Sequence, residues 1–160
     1  MSEQQQPIFN VDKVYLKGAS LEVPNAPQVF TEQQAPTVDI KLHNEANVIG
    51  DGVYEVVLTA TVTAKHGDKT AFLVEVNQAG IFQARNFTQA DIDQIMNATC
   101  PMNLLPYARE AVSNLLSHAG FPVVQLPHVA FQAIYNQRLQ DAQQGQQPPS
   151  GAFAPEFKSL

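Results

Sequence analysis

Few residues of this 160-residue chain could do covalent chemistry, and the single cysteine is the first to weigh. Cys100 stands in CPMNLLPYAREAVSNLLSHAGFP, just before a helical rhythm begins. A thiol at a helix start gains stabilisation of its anion and with it nucleophilicity. No second cysteine makes a Cys-x-x-Cys pair, and nothing places a His or Asp beside Cys100. A structural thiol is the reading that needs no further residue. His43, His66, His118 and His128 lack metal-ligand spacing, so no metal is expected. The acids are scattered rather than paired for hydrolysis. The Gly50-Asp51-Gly52 turn has neither the lysine nor the hydroxyl of a phosphate loop. No cofactor and no catalytic residue are therefore expected.

Bulk composition narrows the partners. Net charge is −6, with 9 Lys+Arg against 15 Asp+Glu, and no basic patch exists for a nucleic acid. Only 15% of residues are charged, so the polar surface is largely uncharged and imposes no charge specificity on partners, while the acid bias of the charge present leaves a basic partner open. One cysteine excludes an intramolecular disulfide and suits a reducing compartment. MSEQQQPIFN lacks the basic start and apolar stretch of a secretory signal, and no apolar run is long enough to insert into a membrane.

The elements that must position these residues are antiparallel strands followed by helices. Residues 1–7 form a polar leader. Ile8–Leu16 is strand-like, with an alternation slip at Asp12-Lys13 that predicts a bulge. Three prolines between Glu22 and Pro36 predict a loop. Thr37–His43 alternates, with Val38, Ile40 and Leu42 on one face. Val53–Lys65 is the strongest strand, apolar at even positions and threonine-rich at odd ones. His66-Gly67-Asp68 turns it into AFLVEVNQAGIF. Pairing Val62 with Val74 and Ala60 with Val76 keeps the apolar face continuous, and it sets Glu75 opposite Thr61 and Leu73 opposite Thr63. No crossover helix separates the strands, so the sheet is antiparallel.

Helical spacing follows from Thr88, a candidate cap. Past Pro101 and Pro106, Leu104, Leu105, Ala108, Val112, Leu115 and Ala119 fall on one stripe, which Gly120 and Pro122 end. A second helix is expected over 130–143, and 144–160 is a flexible tail by composition. The fold class is α+β: a four-stranded antiparallel sheet with C-terminal amphipathic helices, one domain over 8–143. Its broad apolar faces point to an oligomer.

The run CPMNLLPYAREAVSNLLSHAGFP, preceded by EVPNAPQVF, VYEVVLTATVTA and FLVEVNQAGIF, resembles the SecB family of bacterial protein-export chaperones across about residues 8–140. The resemblance implies a cytoplasmic homotetramer, a dimer of dimers, that holds unfolded precursor proteins without ATP and delivers them to the SecA motor. It carries Glu22, Leu73 and Glu75 over to the motor-docking surface, where they would meet a basic, zinc-bearing tail. It carries Val74, Val76 and Gln78 over to strand positions implicated in tetramer assembly. Leu104, Leu105, Ala108, Val112 and Leu115 become candidates for helix packing, oligomer contacts or the client groove. Gly18 departs from the pattern, standing where the family has an acid, and the tail lacks the family's acidic run. The alternative is a related antitoxin-associated chaperone, or a structural oligomer with one dedicated partner.

Overall fold

The computed structural model describes residues 3–145 together with the backbone of 156–159. Four long strands, β1 (Ile8–Glu22), β2 (Thr37–Gly50), β3 (Val53–His66) and β4 (Lys69–Arg85), precede α1 (Gln89–Gln94), α2 (Cys100–Ala119) and α3 (Phe131–Gln143). A fifth strand, β5 (Glu156–Ser159), ends the chain, and the spatial order is β1-β4-β3-β2-β5, antiparallel throughout. The remainder of the tail expected to be flexible lies outside the described residues, apart from Gln144 and Gly145.

Turns and the bulges beside them set the register together. Gly52 and Gly67 take positive φ at the β2–β3 and β3–β4 turns, where a Cβ would be strained. After the Gly67-Asp68 turn a bulge at Ala71 shifts the β3–β4 ladder by one residue, and it then runs with Val62 opposite Val74, Ala60 opposite Val76, Thr61 opposite Glu75 and Thr63 opposite Leu73, the pairing read from parity alone. The ladder of β1 on β4 slips between Val11 and Lys13, the expected bulge, and again between Leu16 and Gly18. The second slip restores the apolar parity. It lets β1 run on through Leu21 to Glu22, beyond the expected end at Leu16.

One sheet face is the core. Its rows across β1-β4-β3-β2 read Leu21-Val74-Val62-Ile40 and Ala19-Val76-Ala60-Leu42. Helix α2 packs on β3 and β4, burying Cys100, Leu104, Leu105, Ala108, Val112 and Leu116. Leu116, not Leu115, continues the buried stripe. Both lie within one helical period of Val112, and both are leucines, so spacing alone does not choose between them. Gly80 lies beneath Leu104; a Cβ there would stand 2.7 Å from the Phe82 ring and 3.2 Å from Leu104 Cδ2. The absent side chain is what lets helix and sheet approach.

The helical run does not start afresh at Cys100. Thr88 caps α1, its hydroxyl accepting from the Asp91 N–H, and a π-turn over Ile95–Thr99 joins α1 to α2. Within that turn the Cys100 N–H reaches back to the Ile95 carbonyl. The next such bond, from residue 101 to Met96, is impossible because Pro101 has no N–H. The Met96 carbonyl instead accepts from Nδ2 of Asn44, a buried side chain of β2, at 3.0 Å. Asn44→Ala is expected to cost about 1–2 kcal/mol in urea unfolding, below the full penalty of an orphaned carbonyl because the Asn44 Oδ1, itself without a partner, leaves the core as well. An unchanged midpoint would mean that the bond contributes nothing.

Candidate functional site

The face of the sheet turned away from α2 is polar and continuous. Its rows across β1-β4-β3-β2 read Glu22-Leu73-Thr63-Asp39, then Ser20-Glu75-Thr61-Lys41, then Gly18-Asn77-Thr59-His43. The structure therefore brings Glu22, Leu73 and Glu75 together. Glu22 is the direct cross-strand neighbour of Leu73, and Glu75 follows Leu73 on the same face. Both glutamates are exposed and Leu73 is half-buried. Neither acid has an ion pair among the described residues.

Glu55, on the same face, differs. Its carboxylate accepts from Lys17 Nζ at 2.8 Å and from the Tyr15 hydroxyl. The lysine first, and then the phenol, hold its carboxyl below the usual range, while burial and the same glutamate push the Tyr15 phenol up to about 12. Glu55 is thus committed within the chain, whereas Glu22 and Glu75 remain free to meet cations from outside. Gly18 opens the surface beside Asn77, whose Oδ1 accepts from the Thr59 hydroxyl at 2.8 Å.

Val74 and Val76 lie on the opposite face, wholly covered by their own chain. Gln78 is also nearly covered, and its Nε2 donates to the Tyr15 carbonyl at 3.0 Å. Leu104, Leu105, Ala108 and Val112 are consumed by the core beneath α2. Leu115 instead lines a groove between α2 and the edge strand β1, with Leu16, Ala19, Gln78, Tyr107 and Ala111. Leu16 and Tyr107 are each about half exposed there, at 51% and 50%. A second groove runs where α2 begins and α3 begins, lined by Ala98, Thr99, Met102, Asn103, His128 and Phe131. Sequence reading missed Met102 and Tyr107. Both stand off the buried stripe as apolar residues on an otherwise polar helix face, and that was the available signal.

Cys100 has none of the features of a nucleophile. It is fully buried, and burial pushes its thiol up to about 12. The expectation of a helix-start thiol fails for a physical reason: the π-turn carries the helix through residue 100, so no free N-terminus faces the sulfur. Alkylation of the native protein at pH 8 should run at least ~100-fold slower than in urea, since the folded thiol is both covered and protonated. Comparable rates would show that the site opens. Because the folded thiol's pKa lies above its unfolded value, this group's contribution to stability is level below about pH 8.5 and declines as pH rises toward 12. The histidines are dispersed, and among the described residues no three His, Cys, Asp or Glu cluster as a metal site. Among the same residues no helix is long and apolar enough to cross a membrane.

Comparison with known proteins bears on the fold and the family. The solved SecB-like chaperone of Mycobacterium tuberculosis, in complex with a peptide from an antitoxin, superposes with a TM-score of 0.63 over 76% of this chain and 90% of that one, at 16% identity, a likeness of fold. The protein-export protein SecB of Methylobacillus flagellatus is 52% identical over 140 residues, covering 88% of this chain and 89% of the relative. That of Chromobacterium violaceum is 53% identical over 148 residues, covering 91% and 99%. The family model described as preprotein translocase subunit SecB matches residues 2–142. With sheet, helices and sequence in agreement over nearly the whole length, this chain belongs to the SecB family of protein-export chaperones.

Proposed function

We propose that this protein is a cytoplasmic, ATP-independent holdase that keeps precursor proteins unfolded and passes them to the SecA motor. The observation that carries the reading is the near-full-length similarity to export proteins at 52–53% identity. The antitoxin-associated relative shares the fold at 16% identity, which gives the alternative no comparable support.

Three surfaces divide the work. Unfolded clients lie along the groove between the starts of α2 and α3, where exposed Met102 offers apolar contact without demanding a sequence. Further apolar surface stands at the opposite end of α2, where exposed Phe30 lies in a tilted pair 5.1 Å from Phe121, which in turn meets Phe72 at 4.8 Å. The groove between β1 and α2, with exposed Ile8, Val11 and Leu16 along its edge strand, serves assembly into a dimer of dimers. Val74, Val76 and Gln78 act on assembly indirectly, by fixing the height of α2 and the path of β1. The Glu22-Leu73-Glu75 cluster docks the basic, zinc-bearing tail of SecA, with the acids steering approach and the leucine adding apolar contact.

Light scattering tests the core of this reading. A mass near four chains, increased by one client on mixing with a chemically unfolded polypeptide, is the expected result. A monomer, or a tetramer that ignores the unfolded chain, would sink it.

A further inference from the structure

The sheet has two edges, and the chain treats them differently. On the β1 side, the strand carries exposed apolar residues suited to a second subunit. On the β2 side, the end of the chain itself supplies a partner. β5 pairs antiparallel with β2, setting Val38 opposite Ser159, Asp39 opposite Lys158, Ile40 opposite Phe157 and Lys41 opposite Glu156. Beyond Lys41 the same edge continues through Leu42–Gly50 with no further strand partner among the described residues.

An open edge presents unpaired N–H and C=O groups to any extended chain. Main-chain pairing of this kind reads little sequence, which is what a protein that accepts many unfolded clients requires. The segment already seated on the edge is short, four residues, and is tethered through residues 146–155, a length able to span roughly 33 Å. Four residues of main-chain pairing bind weakly alone, yet a tether supplies them at an effective concentration of about 1 mM.

We propose that β5 is a built-in competitor: it occupies the Val38–Lys41 edge in the empty chaperone, and an extended client segment displaces it by adding to β2 in its place. This rests on the holdase reading above and adds to it a docking edge and an internal regulator of client affinity. If the isolated segment binds with a dissociation constant of about 0.1–1 mM, its removal raises client affinity about two- to tenfold.

The test compares three proteins: the full chain, a chain ending at Gly145, and full-length Phe157→Pro/Lys158→Pro, which removes a ladder donor whichever of the two adjacent N–H groups faces β2 and does not shorten the tail. Two quantities are read, hydrogen exchange at the Val38–Lys41 amides that point away from β3, and affinity for reduced, carboxymethylated lactalbumin as a permanently unfolded client. The expected result is lost amide protection in both variants, together with two- to tenfold tighter binding. Saturating client should restore the protection. Unchanged protection in the variants would overturn the docking of β5. Lost protection with unchanged affinity, or a rise in oligomer mass in place of affinity, would overturn its competition with client and make it a guard against edge-to-edge pairing. Failure of all three proteins to bind the probe, with the full chain's amides still protected, would instead remove the holdase reading beneath the proposal.

Discussion

Glu22→Lys combined with Glu75→Lys is expected to weaken binding of the zinc-loaded SecA tail by about 100-fold, measured by titration calorimetry at low salt. Each reversal deletes a steering attraction and adds a repulsion to a basic partner. The pair together amounts to roughly 2.7 kcal/mol. The control is internal to the same face. Glu55→Gln should change affinity by less than about threefold, because Lys17 and Tyr15 already engage that carboxylate. The opposite direction is open at Gly18. A Cβ there would stand 3.1 Å from Asn77 Nδ2, the far end of a side chain that can swing aside. Gly18→Asp should therefore be accepted by the fold and tighten the tail several-fold. Wild-type affinity in the double reversal would disprove the docking assignment, whatever Gly18→Asp does.

The second large effect separates the two faces of α2. Leu104→Ala should cost about 3–5 kcal/mol, since Leu104 is fully buried over Gly80 and its truncation leaves a cavity in the core between helix and sheet. Leu115→Ala should cost the single chain under about 1 kcal/mol yet lower the light-scattering mass, because Leu115 lines the groove assigned to assembly. Urea unfolding at several protein concentrations distinguishes them: the Leu104 deficit persists at every concentration, whereas that of Leu115 depends on concentration. Equal behaviour of the two variants would dissolve the distinction between core stripe and assembly stripe.

How far the sequence discloses this arrangement depends on the range of the interaction. The β3–β4 register is legible because both strands alternate cleanly and only a parity-keeping pairing holds their apolar faces together, although the bulge at Ala71 that converts the two-residue turn to that parity is not. The bulge at Asp12 is legible for the same local reason, as a break in parity. The proximity of Glu22 to Leu73 is not, since it depends on the chain crossing from β1 past two strand positions to β2 and returning through β3 so that β4 lies beside β1. It was reached only through family resemblance. The choice of Leu116 over Leu115 turns on a few degrees of helix rotation, and two adjacent leucines conceal it. The strand at Glu156–Ser159 is hidden by a polar, proline-bearing approach and by its own brevity. The bond from Asn44 to Met96 joins residues 52 apart in sequence, and it answers a vacancy that only the π-turn together with Pro101 creates.

That bond gives the molecule a native reporter. Met96 lies two residues before Ala98, where the groove proposed for clients begins, so on that proposal a helix displaced by cargo must stretch or tilt the contact between its main chain and the Asn44 amide. The side-chain amide protons of Asn44, sequestered beneath the helix, would then change chemical shift whenever the groove fills. Occupancy could be followed in the intact assembly by magnetic resonance, through a nucleus already in place and without attaching a dye to the surface being watched.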